Sequence, residues 1–83
     1  MKPVVIYTTQ YCGYCVRAKR LLDRKKVAYQ EIDVSGDDDA RVKLTERTGR
    51  RTVPQIFIGE RHVGGSDDLY ALDAAGELDK ILH

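Results

Sequence analysis

Thr8-Thr9-Gln10-Tyr11-Cys12-Gly13-Tyr14-Cys15 holds both cysteines of the chain, spaced C-x-x-C, between an apolar run and a stretch of helical periodicity. With a strand over Val4–Tyr7 and a helix beginning near Gly13, Cys12 falls at the helix mouth, where unpaired backbone N–H groups and the helix dipole favour a thiolate. The thiolate, not the thiol, is the attacking form of cysteine. Cys15, three residues on, lies one turn deeper on the same face, so its sulfur can reach back and close a disulfide with Cys12. The pair is a candidate redox site in which one sulfur attacks and the other resolves.

Upstream, Val4-Val5-Ile6-Tyr7 is β-branched and aromatic without clean alternation, which predicts a central strand buried on both faces. Downstream, Cys15, Ala18, Leu21 and Leu22 share one helical face and Arg17, Lys19, Arg20 and Arg24 the other, predicting a first helix over 13–25. Val27–Val34 alternates from Tyr29 onward and predicts a second strand, joined to the first by a right-handed parallel crossover. After the Ser35-Gly36 turn, Asp37, Asp38 and Asp39 suit the N-terminal cap of a second helix carrying Ala40 and Leu44, with Gly49 as its C-terminal cap. Val53–Ile58, Gly59-Glu60 and Arg61–Gly65 predict a hairpin, in which Pro54 begins its strand because it cannot donate to a ladder. Ser66 is the expected N-cap of a third helix with Leu69, Leu72 and Ala75 inward, ended by Gly76; Leu78, Ile81 and Leu82 predict a last amphipathic turn or two. The order β-α-β-α-β-β-α predicts an α/β fold with a four-stranded mixed sheet and three main helices on both faces, and C-x-x-C after its first strand points to a thioredoxin-like redox fold.

At 83 residues the expectation is one domain spanning 1–83. The formal charge of +1 with interleaved signs argues against nucleic acid or a membrane surface as partner. Two cysteines are too few for a secreted disulfide framework. The apolar run after Met1-Lys2-Pro3 is too short for a signal peptide, and no stretch approaches membrane-spanning length, so a soluble cytoplasmic protein is expected. A zinc site would need two further ligands beside the cysteine pair. His62 and His83 lack the spacing for it, so no metal is assigned.

Cys12-Gly13-Tyr14-Cys15, Thr52-Val53-Pro54-Gln55 and Gly64-Gly65-Ser66-Asp67-Asp68 together resemble the small bacterial glutaredoxins of the dithiol type, and the resemblance runs from Val4 to about Leu82. It implies a glutathione-dependent thiol–disulfide oxidoreductase acting on protein disulfides and glutathione mixed disulfides, with Cys12 as nucleophile and Cys15 as resolving thiol. It further implies a glutathione groove. There the Val53 backbone would pair with the cysteinyl unit beside Thr52, and Pro54 would follow a cis bond. Asp67 would bind the γ-glutamyl ammonium, with the N–H groups around Gly65, Ser66 and Asp67 holding its carboxylate. Tyr14 would wall the groove and Arg41 would reach the glycine carboxylate. A monomer is implied.

Three positions depart from the family pattern. Gly13 replaces the more usual proline and loosens the helix start; small residues here accompany, in the family, a [2Fe–2S] cluster bridged between two chains through Cys12 and two glutathiones, the competing reading. Thr9 stands where many members have a lysine, and Ser66 where some have a third cysteine. From the residues alone Asp67 also suits a plain dipole-compensating acid, Pro54 a trans proline, and Tyr11 and His62 surface positions, while Arg50-Arg51 suits either a pair that steers anionic glutathione or a solvated helix end, the latter favoured.

Overall fold

The β-branched run Val4-Val5-Ile6 sits in the interior of the sheet, and the computed structural model describes residues 1–83 around it. The elements are β1 (Val4–Thr8), α1 (Gly13–Arg24), β2 (Gln30–Asp33), α2 (Asp38–Thr48), β3 (Gln55–Ile58), β4 (Arg61–Gly64), α3 (Ser66–Ala74) and a short α4 (Leu78–Leu82). β1 pairs parallel with β2, Tyr7 facing Ile32, and antiparallel with β3, Ile6 facing Ile56, so the sheet order is β2-β1-β3-β4. This is the mixed sheet of the thioredoxin-like fold.

Burial along β1 alternates: Val4, Ile6 and Thr8 are buried, Val5 and Tyr7 only partly. Burial on both faces, expected from the unbroken apolar run, is therefore complete on one face. That face receives α1, α3 and α4, whose Ala18, Leu21, Leu22, Leu69, Leu78 and Leu82 close over Val4, Ile6, Ile56 and Ile58 in one core. Successive strand residues point to opposite faces, so Tyr7 and Phe57 look the other way, toward α2. There the Arg47 guanidinium lies 3.9 Å above the Phe57 ring, and the Tyr7 ring meets Phe57 edge-on at 5.8 Å.

β2 is shorter than its alternating pattern suggests, because the Val27 N–H is spent on the Leu22 carbonyl at the end of α1 (3.0 Å) and pairing with β1 begins only at Gln30. Helix ends follow side-chain chemistry. Asp37 Oδ1 accepts from the Ala40 N–H at 3.0 Å to start α2, and Gly49 closes it in the left-handed conformation at φ 74°. Ser66 is not the cap of α3 but its first helical residue, and it is buried. Gly65 is the N-cap, and its N–H donates to Asp68 Oδ2 at 2.9 Å. The first-turn carboxylate thus satisfies the cap residue's own N–H, the reciprocal half of a capping box, while no cap side chain accepts from the N–H groups of the first turn. β3 begins at Gln55, one residue after Pro54, and the Val53–Pro54 bond is cis.

Candidate redox site and its groove

Cys12 is the N-cap of α1, in extended conformation, and its Sγ accepts from the Cys15 N–H at 3.1 Å. Cys12 and Cys15 form a disulfide, with Cα atoms 5.2 Å apart. The two sulfurs differ in access: Cys15 is 2% exposed, while Cys12 is only half-buried. A thiol or disulfide arriving from solution therefore meets Cys12 first, and Cys15 reacts with what Cys12 has bound. No acidic side chain occupies the first turn of α1, so no carboxylate there opposes the helix N-terminus in favouring a thiolate at Cys12.

The loop before β3 reaches this sulfur, and the junction before α3 joins that loop in walling one groove. Cys12 Sγ lies 3.8 Å from the Val53 carbonyl oxygen. A groove of about 250 Å³ opens beside it, walled by Tyr14, by Thr52, Val53 and Pro54, and by Gly65, Ser66 and Asp67. All seven come from the three sequence motifs. Ser66 Oγ, buried at the groove, has no hydrogen-bond partner. The Asp67 carboxylate is 88% exposed, with only Arg17 Nη1 nearby at 3.9 Å. In chemical terms the floor is a peptide edge, one end is a helix N-terminus with free N–H groups, and the rim carries one carboxylate.

Arg41 does not join them. Its Nη2 donates to the Arg51 carbonyl at 3.1 Å, and it borders a separate depression with Asp38, Thr45 and Glu46. The cation in the groove is Arg50, one of the pair that the sequence left between steering anionic glutathione and a solvated helix end. Its Nη1 bonds Asp68 Oδ2 at 2.8 Å. The signal for it was positional, since Gly49 ends α2 in a left-handed turn and the next residue must head toward Thr52. Asp68 is held below the ordinary carboxylate pKa first by the Arg50 bond and then by the Gly65 N–H.

Two further residues went unnoticed in the sequence. Gln55 is fully buried, and its Nε2 donates to Thr52 at both the carbonyl oxygen (2.9 Å) and Oγ1 (3.3 Å). Its Oε1 lies 2.6 Å from His62 Nε2. His62 is consequently not a plain surface residue: it is half-buried and its ring tilts over Phe57 at 5.1 Å. Burial, then the positive charges of Arg50 and Arg47, push its pKa down against the weaker pull of Asp68.

The chain matches the family model described as Glutaredoxin over residues 4–63. A glutaredoxin of Pseudomonas aeruginosa is 58% identical over 82 residues, covering 99% of this chain and 98% of the relative. The solution structure of a glutaredoxin from Brucella melitensis superposes with a TM-score of 0.89 at 55% identity, over 99% of this chain and 89% of that one. The crystal structure of a buckwheat glutaredoxin–glutathione complex gives a TM-score of 0.90 at 40% identity, over 98% of this chain and 76% of that one. With an accessible sulfur at a helix mouth, a buried partner beneath it and a peptide-edged groove alongside, the chain belongs to the glutaredoxin family, the glutathione-dependent thiol–disulfide oxidoreductases.

Proposed function

We propose that glutathione lies in the groove beside Cys12, and that Cys12 and Cys15 divide the chemistry by access. The observation that carries this is the 3.8 Å approach of Cys12 Sγ to the Val53 carbonyl at the groove edge. A cysteinyl unit whose sulfur reaches Cys12 lies there alongside the Val53 backbone, as an added strand does. The γ-glutamyl carboxylate takes the N–H groups at Gly65, Ser66 and Asp67 and the unpartnered Ser66 hydroxyl, and the ammonium takes Asp67. Thr52, Pro54 and Tyr14 complete the walls. Arg50, whose Nη1 stands beside Gly64 and Gly65 and pairs with Asp68, adds positive charge at the γ-glutamyl carboxylate end of the groove.

With a glutathionylated protein, the Cys12 thiolate attacks the glutathionyl sulfur. The old S–S bond breaks, and the protein thiolate leaves and takes a proton. A second glutathione thiolate then attacks the same sulfur, releasing glutathione disulfide and the Cys12 thiolate. With a protein disulfide, Cys12 forms the mixed disulfide, Cys15 attacks Cys12 Sγ, the reduced protein leaves, and two glutathiones reduce the Cys12–Cys15 bond. The substrates are accordingly disulfide-bonded or glutathionylated proteins, and the working form is a monomer, residues 1–83 acting as one domain. No helix is long and apolar enough to cross a membrane, and a reductant of this kind belongs in the cytoplasm. The test is a pair of variants. Cys12→Ser abolishes turnover of a glutathionylated peptide, whereas Cys15→Ser keeps it and loses only protein-disulfide reduction; equal losses on the glutathionylated peptide would refute the division of roles.

The second reading is a [2Fe–2S] cluster held between two chains, favoured by the open space beside Gly13, where a Cβ would meet nothing within 4 Å. The donor set fits in one way: each chain offers a single accessible thiolate, Cys12, and two bound glutathiones supply the other two sulfurs. Such a cluster holds two chains together and takes Cys12 out of exchange. Anaerobic purification with glutathione, followed by visible absorption and sizing of the native protein and Cys12→Ser, tests it.

A further inference from the structure

Gln55 is a primary amide sealed inside the protein, and every polar atom of it is satisfied by two residues, Thr52 and His62. A buried unpaired amide is costly, so the arrangement is strongly determined. Its orientation follows from the partners. The Thr52 carbonyl can only accept, so the Gln55 nitrogen faces Thr52 and Oε1 faces His62. Oε1 in turn only accepts, so the neutral imidazole carries its proton on Nε2.

The consequence falls on the groove. In a trans peptide the C=O and the following N–H point in opposite directions. Tethering the Thr52 carbonyl inward to Gln55 therefore turns the Val53 N–H away from the core, on the side where the groove lies. We propose that His62, acting through Gln55, is a positioning residue that presents the Val53 N–H to glutathione. This rests on the groove reading above. The device is rigid at its far end, because His62 sits on β4 opposite Phe57 and tilts over that ring at 5.1 Å. Thr52, by contrast, is exposed and lies outside any helix or strand, so the Gln55 bonds are what orient its carbonyl.

Two substitutions separate the hydrogen bond from the packing. His62→Phe keeps a ring over Phe57 and removes the donor; His62→Gln places an amide N–H where Nε2 stands. Steady-state kinetics over a series of glutathionylated peptide concentrations, at saturating glutathione, read the effect. His62→Phe is expected to raise KM for the glutathionylated peptide about three- to tenfold, the size of one neutral hydrogen bond, with kcat within about twofold; His62→Gln stays close to the parent. Parent-like KM in both variants, or equal impairment in both, overturns the proposal. Amide NMR provides a readout independent of turnover: in His62→Phe without ligand, the Val53 N–H resonance should move and the Gln55 side-chain NH₂ should exchange faster with water. Unmoved signals overturn the role of His62. If instead the parent's own Val53 N–H fails to shift on adding glutathione, the groove assignment falls, and the proposal with it.

Discussion

Cys12 and Cys15 are the same residue type three positions apart, yet burial assigns them different work. Cys12 Sγ stands at the mouth of α1 and accepts a backbone N–H, an arrangement that favours its anion. In the reduced protein the Cys12 thiol should titrate well below the free value of about 8.5, within the ~3.5–7.5 range of activated cysteines. Thr9→Lys should lower it further, and ultraviolet titration of the thiolate in both proteins checks this. Asp67 is the other residue whose value depends on exposure. Its carboxylate is 88% exposed, so its pairing with a glutathione ammonium is worth about 1 kcal/mol, the upper end for exposed pairs. Asp67→Asn should therefore cost roughly fivefold in kcat/KM with glutathionylated peptide. The melting temperature should barely move, because surface changes of this kind stay within about 0.5 kcal/mol. A variant that melts far lower with unchanged kinetics would make Asp67 a structural residue.

At the scale of elements, the passage from β4 into α3 is the most constrained point of the chain. Gly64 has φ 118°, and a Cβ there would collide with the Asp68 carboxylate, which is already bonded to Arg50 and to the Gly65 N–H. Gly64→Ala should cost about 1–3 kcal/mol and displace the N-terminus of α3, so that chemical denaturation and glutathione KM worsen together. The start of α2 offers the contrast. Asp37→Ala removes one cap bond, to the Ala40 N–H, and should cost about 1 kcal/mol of stability while leaving glutathione kinetics alone, because α2 packs on the face away from the groove. Both helix starts carried a cap signal in the sequence, Asp37–Asp39 for α2 and Ser66 for α3. Only their surroundings separate a helix end that folds the protein from one that also shapes a site.

Over the whole molecule, two groups of ionisable residues couple pH to folding in separate windows. His62 has its pKa pushed below 6.5 in the folded protein, first by burial and then by Arg50 and Arg47. The unfolded chain then binds more protons than the folded one between the lowered value and 6.5, so stability falls as pH drops through that interval. Asp68, Glu31 and Asp33 are depressed by hydrogen bonds: Arg50 for Asp68, Thr8 and then Lys19 for Glu31, and Ser35 for Asp33. Their contribution is present above their unfolded values, near 4, and is lost as pH falls through the lower folded values. Melting temperature against pH should decline in two steps, and His62→Gln should remove the step that begins below pH 6.5 while leaving the acid one. A single step in the parent would show that His62 is not linked to folding.

The period of the apolar residues, the two helix caps at Asp37 and Gly49 and the C-x-x-C spacing are local properties, and they were sufficient for the element order, the position of Cys12 at a helix mouth and the redox chemistry. The three motifs that meet in the groove were also legible, through their resemblance to the glutaredoxin family, which implied a shared groove. What the sequence could not supply were pairings across distance. Arg41 and Arg50 are both arginines in or near α2, and only the turn at Gly49 decides that Arg50 enters the groove while Arg41 bonds the Arg51 carbonyl. Ser66 had the composition of a cap, but Gly65 is the cap residue, and Asp68, held by Arg50 from 18 residues away, accepts its N–H. Gln55 and His62 are an ordinary strand residue and an ordinary hairpin residue until the register of β3 against β4 brings Nε2 to Oε1. A buried polar group is defined by its partners, and partners that lie on different strands are chosen by the tertiary fold.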